Sequence, residues 1–158
     1  FGRARYFIGK TEWEYWMSAA DAGSAIPMVD LVRRNLAPLA AHVMFFDDGH
    51  EIVPGIRAIS TPGHTAGHMA LSIISGGKEL LHVSDVVLSP LHLEHPDWLP
   101  VFDLSPADAA ASKQSIFDYA AEQNALVFAH HFPPFPNLGH LAKQGAGWQW
   151  QPIAGGGW

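Results

Sequence analysis

Residues 43–84 never run far without a turn signal, and that punctuation excludes a long helix from this part of the chain. Segments 43–46, 51–53 and 56–60 are strand-length and apolar, separated by Asp47-Asp48-Gly49 and by Pro54-Gly55. Segments 69–75 and 79–84 follow as two more strands, joined at Gly76-Gly77 in a hairpin pattern. Outside this region the periodicity changes. Thr11-Glu12-Trp13-Glu14 has capping-box spacing and predicts a helix to about residue 20. Pro27 opens a second, with Met28, Leu31, Val32, Leu36 and Leu39 at helical spacing. Ser105-Pro106-Ala107-Asp108 starts a third, running to about residue 123, with Ser at the N-cap and Pro at N1. Segments 5–8, 125–129 and 148–153 read as further strands, whereas 85–100 and 130–140 read as irregular loops. Strands occur both in runs and between helices, so the expectation is an α/β chain with a mixed sheet. No repeat and no linker divides residues 1–158, which are read as a single domain.

Composition narrows the function classes. A formal charge of -6, with only nine scattered Lys and Arg, argues against a nucleic-acid partner. The longest apolar runs are short and interrupted, so no membrane span is expected. There is no cysteine, hence no disulfide and no thiolate ligand. The ten histidines are the oddity, since imidazole is the commonest transition-metal ligand. No charged segment followed by an apolar stretch marks a signal peptide, and periplasmic, secreted and cytoplasmic locations all remain open.

Three polar clusters directly follow strand segments: Thr61 to His68 after 56–60, Ser84-Asp85 at the end of 79–84, and His130-His131-Phe132-Pro133 after 125–129. Strand ends on one edge of a sheet converge on a common surface. A His, an Asp and another His delivered there make an N/O ligand set for zinc or a similar metal. Each taken alone also has a plain structural reading, a hydrogen-bonded loop His or an Asp capping a turn.

The motif Thr61-Pro62-Gly63-His64-Thr65-Ala66-Gly67-His68 resembles the Thr-Pro-Gly-His-Thr-x-Gly-His loop of the metallo-β-lactamase-fold superfamily. Val83-Ser84-Asp85 is similar to that family's strand ending in a metal-bridging Asp, and the separation of His64 from Asp85 matches as well. The stretch from Ala129 to His140 and the segment Trp148-Gln149-Trp150-Gln151-Pro152 resemble the methyl parathion hydrolase-like branch. The resemblance implies an αββα sandwich and a zinc-dependent hydrolase, with other divalent metals or iron as alternatives. Its metal-bound hydroxide would attack a small-molecule ester, lactone or phosphotriester. It implies that His64 and His131 are terminal ligands of two different ions and that Asp85 is the catalytic bridging carboxylate. The last loop is one residue longer than the branch pattern, so His130 competes with His131. His68 is expected to orient the loop by hydrogen bonds, with His130 and His140 as further supporting residues. For His140 a pocket-mouth and a surface position are both open. Trp16 matches a position where an aromatic lines the substrate pocket, and a buried helix-face Trp is the alternative.

The family's His-x-His-x-Asp-His hallmark is absent from these 158 residues, as is any His-x-His pair. The chain therefore resembles the C-terminal part of the fold and is expected to be inactive alone, with Trp13, Phe45 and Trp150 among the residues left uncovered. The alternative is a non-catalytic fragment or degenerate homologue that binds a partner, either a complementing chain or a second copy in a homodimer.

Overall fold

The computed structural model describes residues 4–18, 28–133 and 135–153. Strand β1 (Tyr6–Gly9) leads into helix α1 (Lys10–Ser18), and helix α2 (Met28–Leu36) leads through a 3-10 segment (Ala37–His42) into β2 (Val43–Phe46). Strands β3 (Glu51–Val53), β4 (Ile56–Ser60), β5 (Met69–Ser75) and β6 (Lys78–His82) follow. A 3-10 turn (Ser84–Val86), the short helix α3 (Leu91–Glu94) and the long helix α4 (Pro106–Glu122) come next, then β7 (Leu126–Phe128), β8 (Leu138–Gln144) and β9 (Gly147–Pro152).

Strands β3 to β9 form one seven-stranded sheet in sequence order, while β1 and β2 pair in parallel as a separate ribbon. Every neighbouring pair in the large sheet is antiparallel except β6 and β7, which are parallel around the α4 crossover. The expected mixed α/β sheet is thus observed, and the strands over 43–60 and 69–75 have the expected bounds.

Cross-strand register sorts the side chains between the two faces. Leu81 opposes Val127, and Leu141 opposes Trp150, on the face beneath α4. There Ile116, Phe117 and Ala120 of α4 join Leu81, Val127, Leu141 and Trp148 in one core, with Phe117 edge-on to Trp148 at 5.6 Å. Leu71, His82 and Phe128 oppose one another on the other face, where each of the three is only half-buried. No helix among the described residues is long and apolar enough to cross a membrane.

Several local expectations need correction. Residues 138–140, read as the end of a loop, open strand β8, which runs on to Gln144: Gly139 and His140 break its apolar pattern, and pairing with β9 supplies the order. Helix α1 begins at Lys10, so Thr11 lies inside it and does not cap it. Helix α2 stops at Leu36, because Pro38 follows and the next turn tightens to 3-10. Residues 91–94, also read as irregular, form one helical turn. Ser105 does adopt an extended conformation before Pro106, but its hydroxyl donates to Asp108 Oδ2 at 2.6 Å instead of capping the backbone. Phe45 is 48% exposed, as expected of an uncovered residue, and Trp13 rests half-buried against it with ring centroids 5.6 Å apart. Trp150, by contrast, is packed: its ring meets the buried Phe132 edge-on at 5.0 Å.

Candidate metal centre

Strands β4, β6 and β7 point the same way, since β4 and β6 are both antiparallel to β5, and β7 is parallel to β6. Their C-terminal ends therefore lie on one edge of the sheet. The loop 61–68, the turn Ser84–Val86 and the turn after β7 all leave from that edge.

The 61–68 loop is fixed from both sides by glycine contacts. A Cβ on Gly63 would lie 2.2 Å from the Ala109 nitrogen at the start of α4, and φ at Gly63 is +135°. A Cβ on Gly67 would lie 2.1 Å from the Glu12 nitrogen in α1. Only glycine permits both approaches. Glu12 reinforces the second: its carboxylate accepts the Gly67 N–H at 2.8 Å and the Trp16 indole N–H at 2.6 Å. That carboxylate, to which the sequence reading gave no role, joins α1 to the loop.

His68 connects this loop to Asp85. Its Nε2 accepts the backbone N–H of Asp85 at 3.1 Å, so the ring proton sits on Nδ1. Nδ1 in turn faces the Thr61 carbonyl at 3.0 Å and the Thr61 hydroxyl at 2.8 Å. Desolvation by burial lowers the His68 pKa, outweighing the hydrogen bond to Thr61, and this favours the neutral ring that such bonding requires. Ser84, immediately before Asp85, occupies the left-handed region with φ 49°, a conformation costly for a non-glycine residue. The turn that presents Asp85 is thus held by its hydrogen bond to His68 against local strain.

On the opposite side, the turn after β7 brings two imidazoles to the same carboxylate. Asp85 Oδ1 lies 2.8 Å from His131 Nε2 and 3.4 Å from His130 Nε2. The three ligand atoms fall within 4.8 Å of one another. Phe132 anchors the turn: it is fully buried, and its N–H donates to the Ala129 carbonyl at 2.8 Å. The Asn137 amide, on a residue with φ 65°, donates to the His130 and Phe132 carbonyls. Burial alone would raise the Asp85 pKa. The hydrogen bond from His131 and the charges of His64, His130 and His131 overcome that and hold it below the usual carboxylate range.

His64 faces the same edge and lines a small cavity with Asp85, but its ring is bonded elsewhere. Its Nδ1 is 3.0 Å from Asp103 Oδ1, and the two side chains are 22% and 4% exposed. The chain thus draws His130, His131 and Asp85 together and sets His64 beside them on its own partner. Asp103 carries no signal in the sequence, lying between the irregular segment 85–100 and the helix start at Ser105. His82 was also missed. It ends β6, its ring stacks on Phe128 and lies 5.8 Å from that of His130, and burial followed by the His130 charge lowers its pKa.

Two expected site residues sit apart from the cluster. His140 is at the other end of β7, with Nδ1 3.1 Å from the carbonyl oxygens of Asn124 and Ala125, because its position on β8 pairs it away from the loop edge. Trp16 is 8% exposed and lies within the α1–α2 contact, where its carbonyl accepts from Arg33 Nε at 3.0 Å. Its indole is linked to the 61–68 loop through Glu12.

No protein-family model matches the chain, and no curated protein does. Solved structures do. The dizinc quorum-quenching lactonase AidC, in complex with the product N-hexanoyl-L-homoserine, superposes with a TM-score of 0.85 and 26% identity over 94% of this chain. The hydrolase AbOPH of the beta lactamase superfamily gives 0.85 and 23% over 98% of it. A probable metal-dependent hydrolase from Staphylococcus aureus gives 0.72 and 18% over 94%. The chain spans 54%, 56% and 52% of these three proteins, about half of each. The fold is therefore that of the metallo-β-lactamase hydrolases, with a mixed sheet and flanking helices.

Proposed function

We propose that this chain is part of a metal-dependent hydrolase in which Asp85, His131 and His64 hold divalent ions, with zinc first among them. The observation that carries the reading is the convergence of Asp85, His130 and His131 on one point at the loop edge of the sheet. One carboxylate oxygen and two imidazole nitrogens are the donor types that zinc takes, so the residues present fit the ion. His130 then supports the site as a third ligand or as a neighbour of His131. A bound divalent metal would supply an acidified water and polarise the scissile group.

The chain's own residues do the rest. His68 holds Asp85 by its backbone, and the carboxyl stays ionised because its pKa is depressed. Phe132 and Asn137 fix the direction of His131. Val101 and Phe102 next to Asp103, and Phe135 beyond His131, are strongly exposed and offer apolar contact for an acyl group. The likeness to a lactonase carrying an N-acyl product supports a lactone or ester substrate. The resemblance of the 129–140 loop to methyl parathion hydrolase-like enzymes supports a phosphotriester, and the dizinc relative supports two ions.

Zinc titration, followed by calorimetry and by metal content after gel filtration, tests the reading. The native chain should retain zinc, and Asp85→Ala should weaken binding by about tenfold or more, because each ligand is a large share of so small a set. Equal retention by the native chain and Asp85→Ala would overturn it.

A second reading has its own support. The half-buried sheet face bearing Leu71, Ile73 and Leu80 suits a chain that completes its fold with a partner or a second copy. Sedimentation of the metal-free chain tests it: a monomer at all concentrations speaks against self-association.

A further inference from the structure

The segment from Trp98 to Ser105 lies along the 61–68 loop and is fastened there at several points. The Leu104 N–H donates to the His64 carbonyl at 3.3 Å, and the Ser105 N–H donates to the Gly63 carbonyl at 2.9 Å. At its other end, the Trp98 carbonyl accepts from Lys113 Nζ at 3.1 Å. Lys113 is an ammonium 1% exposed, carried inward by α4. Between these ties sits Asp103, whose side chain is 4% exposed and whose Oδ1 meets His64 Nδ1. A buried carboxylate needs partners, and Asp103 has the His64 ring in hydrogen-bond contact and the charge of Lys113 acting on it.

We propose that Asp103 is the positioning residue of His64: by accepting the Nδ1 proton, it fixes the tautomer whose Nε2 lone pair is free for a metal ion. A carboxylate only accepts hydrogen bonds, so the proton between the two groups belongs to Nδ1. The remaining nitrogen is then a lone-pair donor by elimination. Carboxylates that bind the far nitrogen of a ligating imidazole orient the ring and raise its basicity. Lys113 contributes a positive charge that interacts with Asp103, and its ammonium ties down the start of the segment at the Trp98 carbonyl. Burial lowers the Lys113 pKa, and Asp103 and then Asp97 oppose that shift. The His92 ring also belongs to this environment: its Nδ1 is buried without a hydrogen-bond partner among the described residues, and after burial the Lys113 charge further lowers its pKa. The two ligand histidines are thus differently supported, His64 by a buried carboxylate and His131 by Asp85 directly.

The inference rests on the metal reading for its purpose but not for its test. Long-range proton–nitrogen spectra of the metal-free, nitrogen-15-labelled chain report the tautomer of each histidine. His64 should appear with its proton on Nδ1. In Asp103→Leu that preference should be lost in favour of a mixture or the Nε2–H form. His68, held in its own tautomer by Thr61 and the Asp85 N–H, should not change and so certifies the fold. Asp103→Ala, which also removes the acceptor but adds no bulk, serves if the leucine variant fails to fold. A native His64 protonated on Nε2, or a tautomer unchanged in either variant, overturns the proposal. Zinc affinity is then read on the same proteins, with a loss of roughly 10–100-fold expected in the Asp103 variants. If the tautomer shifts as described yet His64→Ala binds zinc like the native chain, Asp103 keeps its role and the assignment of His64 as a ligand fails.

Discussion

The two faces of the seven-stranded sheet carry similar apolar side chains and meet different surroundings. Beneath α4, Leu81, Val127, Leu141 and Trp148 are each no more than 3% exposed and interlock with Phe117 and Ile116. On the other face Leu71, Ile73, Leu80, Leu126 and Phe128 are only half-buried. The ribbon of β1 and β2 covers this second face only in part, near Met69, whose side chain approaches Gly9. Removing apolar area from water contributes roughly 25 cal/mol per Å², so the covered face holds the chain together. The open face leaves that stabilisation unused, and the cluster of Asp85, His130 and His131 stands at the loop edge of the sheet.

The sharpest way to break this comparison is to truncate one residue on each face. Phe117→Ala should cost about 3–5 kcal/mol, the range for emptying a packed aromatic site. Leu71→Ala should cost about 1 kcal/mol or less, since its side chain is already partly solvated. Urea denaturation of both variants measures the difference. Equal losses would mean that the open face is covered in solution.

Gly67→Ala is expected to come next, at roughly 1–3 kcal/mol, because the new methyl would collide with α1 and force a backbone shift. Thermal melts give the loss. A parallel fall in zinc retention would show that the loop's seat against α1 also maintains the cluster.

Acidification should lower stability more gently. His68, His82 and His92 all have pKa values pushed below the ordinary imidazole value of 6.5, by burial first. The unfolded chain takes up protons at pH values where the folded chain still resists them. Their contribution is complete above pH 6.5 and is lost as the pH falls through the folded values. The depressed Asp85 pKa adds to the loss further down, through the carboxylate range. The melting temperature of the metal-free chain should therefore be lower at about pH 5 than at about pH 7.5, and a flat profile would contradict the burial of these rings. His82 lies on the open face, so a partner covering that face should steepen the dependence.

The smallest effect is expected from Leu71→Gln, within about 0.5 kcal/mol for the chain alone. Its value lies in a second measurement. If the chain does associate through the open face, the same substitution should disrupt the associated state, which sedimentation would detect.

Much of this architecture was legible residue by residue. Strands β2 to β5 have the bounds that their flanking Gly, Pro and Asp residues predict, because turn residues act through their own backbone preferences. Ser105-Pro106 likewise marks the start of α4 within the residues that form it. Asp85, His130 and His131 could be singled out because each follows a strand, and parallel strand ends share an edge. Strand β8 escaped notice, since its segment contains Gly139, His140 and Lys143 and gains its order only from neighbours β7 and β9.

The sequence by itself determined where the chain turns, which residue types stand at the strand ends, and the fold class that follows. The tertiary structure alone decided which side chains meet. His64 bonds Asp103 from 39 positions away, Glu12 reaches Gly67 across 55, and Lys113 is buried beneath a loop that no local pattern describes. Local backbone preferences act over a few neighbouring residues. A hydrogen bond between distant side chains exists only after the sheet and α4 have closed and excluded the competing water.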